Sequence, residues 1–216
     1  MDAIQRQFAA LAAAPSDINE HLPVLRAYAR ECVVAAEMGV RDVVSTWALL
    51  CGLAEAGGAD RALWCVDVVP PPNDRFAAVA DAARAVGVRV TFLEHDSATL
   101  DLPTDVDLLF VDTWHVYGHL RRELARHAPR VRRYILLHDT VVDRYVGESV
   151  RRGQDVAAQH RATGYPVAEI RRGLWPAVEE FLRANADWEL WEQRPNNNGL
   201  TVLRRRPHPL PDGTNK

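Results

Sequence analysis

The sequence predicts an α/β domain: a mostly parallel sheet, covered by helices on both faces and finished by an antiparallel hairpin. Three observations carry this. Five short segments are almost continuously apolar, as strands buried on both faces must be. Segments with helical character alternate with them. Near the end, two strand-like segments at 187–194 and 199–205 are separated only by Pro-Asn-Asn-Asn, and Asn198-Gly199 suits the positive φ of a hairpin turn.

The elements follow in order. Residues 1–15 read as a helix stopped by Pro15, and 18–31 as a second helix with Pro23 near its start. These form an N-terminal extension over 1–30, whose apolar faces could pair subunits into a homo-oligomer. The main domain spans 31–206. Its first strand, CVVAAEM (32–38), stops at an acid. A helix follows at 45–57, with Ser45 as N-cap and Gly57-Gly58 as the stop. RALWCVDVV (61–69) is the second strand and 73–87 the next helix, closed by Gly87. VRVTFLEHD (88–96) and DVDLLFVD (105–112) are the third and fourth strands. A helix at 118–129 leads to the fifth strand, RRYILLHD (132–139). The helix at 174–186 precedes the hairpin. Thirty-three residues, 141–173, are assigned to no single element; a connection of that length reads as a lid over the acceptor, part of it helical. The tail 207–216 is expected to be disordered.

Composition narrows the function. With 216 residues and 48% hydrophobic content, one α/β domain can bury a full core. A net charge of −3 and scattered arginines give no stripe for nucleic acid, although Lys216 is the only lysine among 26 basic residues. Cys32, Cys51 and Cys65 fit neither a disulfide framework nor a zinc pattern; buried free thiols are expected. No apolar run reaches membrane-span length and no signal peptide is visible, so a cytoplasmic protein is expected. The first turn, Glu37-Met38-Gly39-Val40-Arg41-Asp42-Val43, lacks the glycine fingerprint of a dinucleotide-binding domain.

The stretches SDINEHLPVL, EMGVRDVVSTWALL, VDTWHVYGHLRREL, ILLHDT, GLWPAVEEFL and NNNGLTVL resemble the class I S-adenosylmethionine (SAM)-dependent methyltransferases. The likeness is nearest to the cephalosporin hydroxylase-like and macrocin O-methyltransferase-like small-molecule enzymes, and covers roughly residues 16–205. It implies a Rossmann-like, seven-stranded sheet in the order 3-2-1-4-5-7-6, with SAM across the carboxyl ends of the strands. It also implies methyl transfer to an oxygen of a small-molecule acceptor, a sugar or natural product.

Site residues follow from that resemblance. Glu37, Gly39 and Ser45 belong to the loop under the methionine part of SAM. Many relatives carry a second glycine where this chain has Val43, and a β-branched residue is expected to avoid φ > 0 there. Asp67, ending the second strand, suits two ribose hydroxyls. Asp96 and Ser97 lie beside the adenine, with His95 placed to stack or hydrogen-bond. Asp112 ends the fourth strand; His138 and Asp139 end the fifth. Neighbouring strands bring these three to one rim, and paired carboxylates there call for a proton or a cation. Metal-dependent relatives have an acid after the fourth strand and an acidic pair or Asp-Asn after the fifth; here the latter reads His138-Asp139-Thr140. The expected metal set is Asp112, His138 and Asp139. Oxygen ligands favour Mg²⁺ or Ca²⁺, and an added imidazole shifts preference toward Mn²⁺, Zn²⁺ or Fe²⁺. His115 is the expected general base, acting with Asp112, and Trp114 and Tyr117 would form an aromatic wall. Two other readings stay open: a catalytically silent SAM- or nucleotide-binding protein, and an iron-dependent hydroxylase using Asp112, His115 and His138.

Overall fold

The computed structural model describes residues 1–207, so the expected disordered tail lies almost wholly outside the described residues. The sheet has seven strands in the order β3-β2-β1-β4-β5-β7-β6. They are β1 (Val34–Met38), β2 (Ala62–Asp67), β3 (Arg89–Glu94), β4 (Val106–Val111), β5 (Val131–His138), β6 (Trp188–Arg194) and β7 (Leu200–Arg205). β1 to β5 pair in parallel. β7 runs antiparallel to both β5 and β6. This is the order and the hairpin that the sequence predicts. Asn197, Asn198 and Gly199 all take positive φ in the turn.

Alternate residues of each strand feed two cores, because successive side chains point to opposite faces. Ala35, Leu108, Phe110 and Leu136 face the helices α1 (Asp2–Ala13), α2 (Leu22–Ala29), α3 (Val44–Ala56) and α4 (Asn73–Ala85). Ala36, Leu109, Val111, Ile135 and Leu137 face α5 (Tyr117–His127) and α9 (Trp175–Ala184). Cys32, Cys51 and Cys65 are buried free thiols.

The N-terminal helices turn much of their apolar surface toward the domain itself. Ile4, Phe8, Leu22 and Leu25 are buried in the first core, against α3. The helices α2 and α3 approach so closely that a Cβ on Gly52 would stand 2.4 Å from the Arg26 carbonyl oxygen and 2.6 Å from Ala29 Cβ. The Arg26 guanidinium closes the same contact on Glu55, at 2.6 Å.

The segment 141–173 is folded, not open. It holds three short helices, α6 (Glu148–Arg151), α7 (Val156–Thr163) and α8 (Val167–Arg171). Val156 and Ile170 pack with Val116 in a small third core, beside Trp114 and Tyr165. No helix among the described residues is long and apolar enough to cross a membrane.

Gly52→Ala is expected to destabilise the protein by about 3 kcal/mol, since two helix backbones would have to part. Urea unfolding measures this, and a loss near zero would show that the helices separate freely.

Candidate functional site

The turn after β1 sets the floor of the site. Gly39 takes φ +89°, and a Cβ there would lie 2.0 Å from the backbone oxygen of Asp112. Only glycine allows that approach. The Asp112 N–H donates to the Met38 carbonyl at 2.8 Å and the Gly39 N–H to Val66 at 2.8 Å, which ties the ends of three strands together. Asp67 clamps the turn: its Oδ2 accepts from the Val40 and Arg41 amides at 2.8 and 3.2 Å, and its Oδ1 from the Val69 amide. Three of roughly four carboxylate lone pairs are thus taken, leaving one outward.

Val43 corrects a sequence expectation. It sits at φ 59°, in the left-handed region, as the residue before α3. A non-glycine residue there costs on the order of 1–3 kcal/mol. Val43 is buried in the first core, and that burial offsets the strain. Arg41, two residues earlier, is also left-handed, at φ 45°.

Glu37 points into the interior. It is fully buried, and its carboxylate accepts hydrogen bonds from the hydroxyls of Ser45 and, at 2.7 Å, Thr46. Burial pushes its pKa up to about 7 against those hydrogen bonds. It lines no cavity; it fixes the first turn of α3, where an acid also meets the positive end of the helix. Ser45 lines a hollow of about 160 Å³ with Asp17, Ile18 and Val44.

The main cleft, about 570 Å³, opens along the carboxyl ends of β1, β2, β3 and β4. Gly39, Arg41, Asp67, His95, Asp96, Ser97, Asp112 and Trp114 line it. Gly39, Arg41 and Asp112 also line the smaller hollow, so the two share a wall. The far wall was not legible in the sequence. Ser97 donates to Glu123 at 2.6 Å, Thr113 donates to the same oxygen at 2.9 Å, and His119 Nε2 lies 3.2 Å from the Ser97 hydroxyl. His119 Nδ1 meets the Tyr165 hydroxyl at 3.3 Å, and the Tyr165 ring stacks on Trp114 at 5.7 Å. Burial would lower the His119 pKa, but the Glu123 carboxylate raises it overall. The segment 141–173 therefore covers the cleft at the Asp96–Ser97 end, through Ala162, Thr163 and Tyr165. The spacing of His119 and Glu123, one helical turn apart on α5, was the available signal. Tyr117 faces away, donating to Glu180 at 2.6 Å, and forms no wall of the cleft.

Behind the cleft lies a buried acid–histidine cluster. One oxygen of Asp112 accepts from both His115 Nε2, at 3.1 Å, and His138 Nδ1, at 3.2 Å. The second nitrogen of His138 lies 3.2 Å from the Asn197 carbonyl. His115 Nδ1 lies 2.9 Å from Asp139, 3.4 Å from Asp143 and 3.5 Å from Glu148. Asp143 is in turn held by Arg151 through two contacts, 2.6 and 2.8 Å. Asp139 sits at φ 56°, a left-handed strand end that aims its carboxylate inward.

The electrostatics follow from these contacts. Burial alone would raise the Asp112 pKa, but the two imidazoles hold it far below the usual range. Burial would lower that of His115, but the neighbouring carboxylates of Asp112, Asp139 and Asp143 carry it well above normal. His115 lies off the main cleft, among these carboxylates. Asp112, His115 and His138 form a hydrogen-bonded chain through one oxygen, not the open two-histidine site of an iron hydroxylase. The donor atoms of Asp112, His138 and Asp139, and those of His115, Asp139 and Asp143, each lie close enough together to hold one metal ion.

No family model matches the chain, and no curated protein does. Solved structures do. One, from Corynebacterium glutamicum, has a TM-score of 0.61 at 19% identity, over 96% of this chain and 91% of that one. A Podospora anserina methyltransferase with S-adenosylhomocysteine (SAH) bound gives 0.56 at 15%, over 96% and 89%. TomG, a Streptomyces achromogenes O-methyltransferase involved in tomaymycin synthesis and solved with SAM, gives 0.55 at 15%, over 93% and 90%. The shared architecture is the class I methyltransferase fold.

Glu37 makes stability depend on pH. An acid whose folded pKa exceeds its unfolded value keeps its proton more firmly when folded. Its stabilisation is complete below about pH 4.5 and is lost as pH rises to about 7. The loss is on the order of 3 kcal/mol at most. In Glu37→Gln, which can keep both hydroxyl contacts, that slope is expected to vanish. Urea midpoints across this range, compared for the two proteins, check it; parallel profiles would show that Glu37 does not titrate there.

Proposed function

We propose that this chain is a SAM-dependent methyltransferase acting on an oxygen of a small-molecule acceptor. The observation that carries this is the cleft at the carboxyl ends of β1 to β4, floored by Gly39 and edged by Asp67, in a class I methyltransferase fold. The cleft fits a bound cofactor: it is about 570 Å³, and Gly39 presents only backbone to it. SAM supplies an electrophilic methyl group on a sulfonium.

The residues divide the work along the cleft. Asp67 offers its remaining lone pair to a ribose hydroxyl. Asp96, Ser97, His95 and Trp114 enclose the base, and Tyr165 and His119 shut water out from the insert side. Asp112 stands where the cleft meets the smaller hollow, and its carboxylate favours the positive sulfonium. The amino-acid end extends into that hollow, toward Ser45 and the N-terminus of α3, where free N–H groups await a carboxylate. Glu37 acts only by anchoring that helix. The acceptor enters from the Asp112–Asp139 side.

Isothermal titration with SAH tests the cofactor reading. Saturable binding is expected, about 10–100-fold weaker in Asp67→Asn because a charged hydrogen bond is lost. No binding to the folded native protein would overturn the proposal; binding unchanged in the variant would remove Asp67 from it.

A further inference from the structure

Four side chains converge behind the rim from three parts of the chain. His115 comes from the connection between β4 and α5, Asp139 from the end of β5, and Asp143 and Glu148 from the segment that follows. His115 and Asp139 are 8% and 6% exposed. Yet His115 Nδ1 and Asp139 Oδ1 have no hydrogen-bond partner. Nδ1 stands 2.9, 3.4 and 3.5 Å from oxygens of Asp139, Asp143 and Glu148, and none is in line with an N–H. A proton on Nδ1 would point at one oxygen. The donor atoms of His115, Asp139 and Asp143 all lie within 4.8 Å of one another, with a Glu148 oxygen 3.5 Å from the same nitrogen, which describes the donor set of a cation instead.

The surroundings agree. His115 Nε2 donates to Asp112, which leaves the Nδ1 lone pair facing the acids; a carboxylate behind an imidazole is the usual support of a metal-bound histidine. Arg151 grips Asp143, and Arg152 lies 3.0 Å from the other oxygen of Glu148. The Glu148 oxygen facing His115 also accepts from the His115 amide at 3.4 Å. Three carboxylates are then balanced by a divalent ion and the neighbouring guanidinium groups. The alternative set, Asp112–His138–Asp139, is poorer. Both ring nitrogens of His138 already have partners in line, so no lone pair is free.

We propose that His115 Nδ1, Asp139, Asp143 and Glu148 bind a first-row divalent cation of the Mn²⁺ class, with Asp112 orienting His115. One imidazole among carboxylates favours such ions over Mg²⁺ or Ca²⁺. Because Asp143 and Glu148 belong to the segment 141–173 and the other two to the sheet edge, the ion staples that segment to the domain. This does not rest on the cofactor reading.

The experiment uses full-length protein, stripped with chelator and titrated with MnCl₂ alone. One equivalent per chain is expected, with a rise in melting temperature and protection of 141–173 from protease. Pulsed electron paramagnetic resonance should show imidazole nitrogen coupled to the bound Mn²⁺. His115→Gln should abolish the coupling; Asp143→Asn and the less buried Glu148→Gln should weaken binding by more than about 10-fold. Circular dichroism confirms that each variant is folded. Absence of binding overturns the proposal. So does binding that survives all three substitutions, or that is lost only in His138→Gln, which would place the ion at the other set. SAH titration of the same samples is read separately, so failure of either site leaves the other standing.

Discussion

Backbone meets backbone where the turn after β1 crosses the end of β4, and the site is arranged around that contact. β1 and β4 are the strands at which the sheet order reverses, so their connections leave in opposite directions and a crevice opens between them. Gly39 lets the two turns touch. The Asp67 carboxylate then fixes the turn through its amides, and the left-handed Arg41 and Val43 swing the chain into α3. A side chain at position 39 would separate the floor of the cleft from the strand end that carries Asp112.

Around this floor the protein buries much charge, and disposes of it in two ways. Glu37 holds its proton up to about pH 7, because burial outweighs the two hydroxyls that face it. Asp112, Asp139 and Asp143 are instead met by imidazoles and a guanidinium. Removing one member of such a group leaves its neighbour's charge buried and unpaired, which costs more than the lost contact itself.

The sheet was legible because its strands are short apolar runs ending in acids, and the hairpin because Asn198-Gly199 demands positive φ. Strand ends also revealed Asp67, Asp96 and Asp112, all of which line the cleft. What failed was whatever depends on the partner brought from elsewhere. Val43 obeyed the core and not its backbone preference. The three acids from other segments that surround His115 could not be read from its own stretch. Ser45 and Glu37 face each other, which spacing alone does not reveal. The segment 141–173 was expected to be partly helical, but it hid where its helices lie because they are only four to eight residues long, too short for a periodic pattern. Asp143 and Glu148 were hidden with them.

The rim beside α3 is completed by the two most distant parts of the chain. Ser16 and His21 bond to Asn196 and Asn197 of the hairpin turn, and the His21 ring meets that of His138 edge-on at 5.6 Å. Asn197 also receives His138 Nε2. Contacts so far apart in sequence close late in folding. Ser16 lines the hollow beside Ser45, so the hairpin turn buttresses that hollow from behind without entering it. A chain can thus pair β1 to β4 and still leave this rim unbraced until the hairpin docks.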